Sequence, residues 1–88
     1  MASYRLKSDV VFRKEDDGAL LYNHVTGNIH TLNETASDLC ELLFIQNKSK
    51  EDTFHEMKKL WQTDDLEELR LDMDEFINDM EKNGFIQL

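Results

Sequence analysis

At 88 residues, 40% apolar and 33% charged, the chain has material for one small hydrophobic core and is read as a single domain over residues 1–88. A formal net charge of −9 argues against nucleic acid or an anionic membrane surface as partner, since both need clustered Lys and Arg. No apolar run approaches the roughly 18–20 residues that span a bilayer. The opening MASYRLKSDVVF has no signal-peptide core, and Cys40 is the lone cysteine, so a cytoplasmic protein without an internal disulfide is expected.

Tyr4 to Glu15 alternates and then turns β-branched and aromatic, which predicts one or two short strands broken near Ser8-Asp9. Asp16-Asp17-Gly18 is a turn signal, because Asp-Gly suits the positive φ values of tight hairpins. Ala19 to His24 is the next strand, Thr26-Gly27-Asn28 a second turn, and Ile29 to Leu32 the third strand. The three make an antiparallel meander that needs a helical layer over its apolar face.

Helices follow. Asn33 or Thr35 caps the first, whose face is Ala36, Leu39, Cys40 and Leu43 at i, i+3, i+4 and i+7. Asn47 to Ser49 breaks the pattern. Ser49 with Asp52 then resembles a second capping box, followed by the stripe Phe54, Met57 and Trp61 with Leu60 beside it. Thr63 to Asp65 caps a third helix with the stripe Leu66, Leu69, Met73, Phe76, Ile77 and Met80, ended by Asn83-Gly84. Phe85 to Leu88 reads as a short closing strand or a packed tail. From Asp64 to Lys82 there are nine acidic residues against Arg70 and Lys82, a local balance of −7.

Little here promises catalysis. His24, His30 and His55 have no third ligand at metal-site spacing. Cys40 lies on an apolar stripe between Asp38 and Glu41, where a thiol behaves as a small hydrophobe rather than a nucleophile. The carboxylates fall on solvated helix faces, and three scattered glycines make no phosphate loop. No enzyme activity, cofactor or metal is expected, which leaves binding. The third strand comes last in the meander and should lie at the sheet edge. Asn28, Ile29, His30, Thr31 and Leu32 carry neither the proline nor the charge that usually protects an edge, so an extended peptide can add there as a strand. Cover by a helix or by the C-terminal segment, or dimerisation through the edge, are the competing possibilities.

Two stretches carry a likeness. ALLYNHVTGNIHTLNETASDLCELL has an apolar strand, a turn with Gly27, a strand ending in Leu32-Asn33, and Thr35-Ala36 opening a helix; DEFINDMEKNGFI is a final helix ending in Gly and a hydrophobic pair. In order and spacing, from about Asp9 to Leu88, they resemble the PqqD-like family, whose domains are recognition elements for RiPPs (ribosomally made, post-translationally modified peptides). The chain departs from the family in having no proline before its first strand and a polar linker from Phe44 to Ser49.

The resemblance implies an α+β, winged helix-turn-helix-like fold, with a three-stranded antiparallel sheet packed against three helices. It also implies a non-catalytic peptide chaperone that binds the leader of a precursor peptide and presents it to a modifying enzyme, often a radical SAM protein, a peptidase or a cyclase. The leader adds to the third strand, Asn28 to Leu32, in a groove closed by the third helix. At about 100° per residue, Arg70, Asp74, Ile77 and Glu81 form one flank of that helix and are expected to rim the groove with Met73, whose plain alternative is core packing. The flank near Asp72 and Asp79 serves if the helix is rotated. A winged-helix DNA-binding regulator, using Lys58, Lys59 and Gln62, and a small structural subunit of a larger enzyme are the alternatives; a monomer or homodimer fits either way.

Overall fold

The computed structural model describes residues 4–61 and 64–87. The elements run β1 (Arg5–Leu6), β2 (Val10–Glu15), β3 (Gly18–Asn23), β4 (Ile29–Leu32), α1 (Glu34–Cys40), a π-helical turn (Glu41–Ile45), α2 (Lys50–Trp61), α3 (Leu66–Lys82) and β5 (Ile86–Gln87). The meander β2-β3-β4 is antiparallel throughout, and helices pack on its inner face, giving the expected α+β architecture. β4 is the strand read from the sequence as the third, and it is the last in the sheet order.

The first hairpin places Glu15 opposite Gly18, with Asp16 and Asp17 as its loop. Gly18 therefore opens a strand, and its role differs from the turn residue expected. A Cβ built on it would lie 1.9 Å from the Leu32 carbonyl oxygen, so only glycine admits this approach, at φ +151. The second turn is held by Asn23, whose side-chain oxygen accepts from the amides of Val25 (2.9 Å) and Thr26 (3.1 Å), with Gly27 at φ +83.

Asn33 caps α1 by accepting from the Ala36 amide at 2.8 Å; Thr35 does not. The helix then widens into the π turn, closed by the Gln46 amide donating to the Glu41 carbonyl at 2.8 Å. This winding buries Leu42, Leu43 and Phe44 in succession, where a regular stripe selects only Leu43. Phe44 stacks on Phe76 of α3 at 5.6 Å and meets Tyr4 edge-on at 6.4 Å. Ser49 caps α2 through the Asp52 amide at 3.1 Å. Phe54 and Met57 are buried, but Leu60 and Trp61, expected on or beside the same stripe, are 58% and 39% exposed.

Asp65 caps α3 through the Glu68 amide at 3.0 Å, while Thr63 lies outside the described residues. The helix buries Leu69, Met73, Phe76, Ile77 and Met80 and leaves Leu66 half-buried. It ends in paired bonds, Phe85 to the Met80 carbonyl (2.9 Å) and Gly84 to that of Glu81 (3.1 Å), with Gly84 at φ +76. The chain then forms the short closing strand β5, which pairs with β1.

Gly18→Ala has no way to keep the Leu32 carbonyl in place. It is expected to lower stability by about 3 kcal/mol or more, read as a drop in the thermal midpoint followed by circular dichroism.

Candidate functional site

The register defines a free edge. The Asn23 amide donates to the Asn28 carbonyl, and Leu21 stands opposite His30 and Ala19 opposite Leu32. Antiparallel pairs alternate between bonded and non-bonded, so residues 28, 30 and 32 spend their backbone groups on β3. Ile29 and Thr31 turn theirs away from it, toward the side of β4 where no described strand pairs. Side chains alternate too: Leu32 is buried and His30 half-buried on the helical side, whereas Ile29 and Thr31 are exposed on the outer face.

Beside this edge lies a groove of about 410 Å³. His30, Thr31 and Leu32 form one wall, and Asn33, Thr35, Ala36 and Leu39 extend it. The opposite wall is α3, through Asp72, Glu75, Phe76, Asp79 and Met80. The apolar side chains make the floor and the three carboxylates the rim. The His30 ring lies 5.7 Å from that of Phe85, which joins β4 to the segment following α3.

The flank of α3 that lines the groove is the one near Asp72 and Asp79, held as the alternative for a rotated helix, rather than Arg70, Asp74, Ile77 and Glu81. Asp74 takes an ion pair from Lys50 at 2.6 Å, and Arg70 reaches Glu51 at 3.2 Å with its guanidinium 4.1 Å from the Phe54 ring centre. Both side chains are thus turned onto α2. Met73 and Ile77 are buried in the core, and Glu81 is exposed but does not line the groove. Of the residues named in advance, His30, Thr31 and Leu32 line the groove, with Asn28 and Ile29 continuing the same edge. Thr35, Ala36, Glu75 and Phe76 were not among them. Glu75 belongs to the acidic i, i+3, i+7 series 72, 75, 79 along α3, a pattern present in the sequence.

Fold and site define a class: a small sheet with one open edge strand, flanked by a helix that makes that edge one wall of a groove. The sequence matches the family model of PqqD, coenzyme PQQ synthesis protein D, over residues 18–86, and the chain belongs to that family. No curated protein matches it. Two solved structures share its fold. One is TbiB1 in complex with the TbiA(beta) leader peptide, at TM-score 0.84 and 19% identity over 94% of each chain. The other is lasso peptide synthetase B1 complexed with the leader peptide, at TM-score 0.86 and 20% identity over 99% of this chain and 100% of that one.

Among the described residues, no three His, Cys, Asp or Glu side chains gather to hold a metal. His24 is exposed in the turn, His30 faces Leu21 across the ladder, and His55 pairs with Glu51 at 4.0 Å. No described helix is long and apolar enough to cross a membrane. Cys40 is fully buried, and burial, reinforced by the Glu41 carboxylate, pushes its thiol from 9.0 up to about 12. The unfolded thiol ionises first as pH rises, so its contribution to stability is complete below about pH 9 and is lost toward pH 12. A thiol reagent is expected to label Cys40 slowly in the native protein and rapidly in denaturant. Cys40→Ala should flatten the fall in stability over that pH window, measured by urea unfolding.

Proposed function

We propose that this protein is a non-catalytic binder of leader peptides, a peptide chaperone that presents a ribosomally made precursor to its modifying enzyme. One observation carries this: the backbone groups of Ile29 and Thr31 point away from β3 along the rim of a groove. An extended segment would add there as a fourth strand, its alternate side chains entering the groove against α3. Asn28 to Leu32 supply the strand, and Asp72, Glu75, Phe76 and Asp79 supply the facing wall. Family membership, and the leader peptides held by both solved relatives of the same fold, support the assignment. A radical SAM enzyme is the partner class suggested by the PqqD likeness, while one fold relative, lasso peptide synthetase B1, places the same fold in lasso peptide assembly.

DNA binding fares worse. Lys58 and Lys59 of α2 are exposed, but they are two cations on a chain of net charge −9 whose α3 is acidic, which disfavours phosphate.

Two proline substitutions separate binding from folding. Thr31→Pro removes an outward-facing N–H and leaves the β3 ladder intact, so the fold should persist while affinity for the cognate leader falls about tenfold or more. His30→Pro removes an inward ladder bond and should cost about 2 kcal/mol of stability. Amide chemical-shift titration of the labelled protein with the leader encoded by a neighbouring short gene reads the first; thermal melting reads the second. Equal affinity of Thr31→Pro and the parent would rule out strand addition at β4.

A further inference from the structure

The charges on α3 are sorted by side. Facing α2, Asp74 is paired with Lys50, and Glu51 of α2 with Arg70, so the cations at that contact are committed to it. Facing the groove, Asp72, Glu75 and Asp79 are exposed, and none forms an ion pair with a described Lys or Arg. The groove continues past Thr35 and Asp72 into a hollow of about 210 Å³, walled by Trp61, Asp65, Glu68 and Leu69. Here the Glu68 carboxyl is held above its ordinary range, first by a hydrogen bond with Asp65 and then by the charges of Asp65 and Asp72. Negative charge thus accumulates along one continuous channel.

The channel has an apolar floor, formed by Ala36 and Leu39 from α1 and Phe76 and Met80 from α3. A floor of this kind under a carboxylate rim suits side chains with an aliphatic stem and a cationic tip. The spacing also fits. Asp72 to Asp79 spans about 10 Å of helix at about 1.5 Å per residue, and inward-facing residues of an extended peptide recur about every 6.6 Å. Two inward positions therefore fall against the three carboxylates, and a peptide of about seven residues places four along the channel from Asp79 to Asp65.

We propose that the segment this groove selects is cationic, an extended peptide with Lys or Arg at alternate positions facing Asp72, Glu75 and Asp79. The proposal rests on strand addition at β4 and adds the chemistry of the side chains that enter. Acidic or uncharged strands meet the same backbone edge without the rim.

Selection of a displayed library of random peptides against the whole chain, with Thr31→Pro as the counter-selection, tests both levels. Peptides that depend on Thr31 and are enriched in alternating Lys or Arg are the expected result. A selected peptide should then bind Asp72→Asn/Glu75→Gln/Asp79→Asn about tenfold more weakly at low salt, with the difference shrinking to less than about twofold at high salt. The three side chains are exposed, and circular dichroism checks that the triple variant keeps its fold. Thr31-dependent peptides without basic enrichment, or with equal affinity for the triple variant, overturn the charge selection and leave strand addition standing. Failure to obtain any Thr31-dependent peptide overturns strand addition and the charge selection with it.

Discussion

The close approach of two backbones, at Gly18 and Leu32, is the constraint on which the site depends. Residue 18 opens β3 and Leu32 closes β4, and no side chain fits between them. That contact pins one end of β4 and fixes its register. A slip by one residue would carry Leu32 into solvent and bring Thr31 into the core. With register fixed, Ile29 and Thr31 must aim their backbone groups outward. α1 must also begin at once, since Asn33 is both the residue after the strand and the helix cap. The groove wall is therefore a strand, a cap and a helix in unbroken succession, with little freedom to move apart.

Much of this was legible in the sequence because the signals were local. Alternation in Leu20 to Tyr22, the Thr26-Gly27-Asn28 turn and the caps Ser49 and Asp65 each act within a few residues. The open position of β4 followed from order alone: in a meander, the last strand has one neighbour. The facing side of α3 was another matter. Phe76 and Ile77 are both apolar and both buried, so the stripe is broad and its rotation about the helix axis is poorly fixed by hydrophobicity. What distinguishes the two flanks is long-range. Lys50 and Arg70 reach partners 24 and 19 residues away, and these pairs turn Asp74 and Arg70 onto α2. Likewise, Gly18 reads as a hairpin residue until the Leu32 carbonyl, 14 positions later, is seen to need its missing Cβ. The π turn coincides with the apolar run Leu42-Leu43-Phe44-Ile45, which is broader than one helical stripe, and it buries the first three.

The division of labour between the two faces of α3 also explains how so acidic a helix stays packed. Its buried stripe supplies the cohesion, while the few cations nearby offset charge only where α2 is close. Exposed ion pairs of this kind contribute little energy each, up to about 1 kcal/mol. Their larger effect is directional, since they hold one set of carboxylates against α2 and leave another set facing the groove.

An uncovered strand is ordinarily an invitation to self-assembly, because a second copy offers the same complementary edge. In this molecule the edge cannot be approached without its acidic companion. A second copy added strand to strand would carry its own Asp72–Glu75–Asp79 rim to the contact, so like charges meet there. The resulting repulsion falls on like molecules and spares a strand that lacks such a rim. The edge lacks the proline or lysine that normally blunts one, and the acidic rim stands in their place as a charge that salt screens.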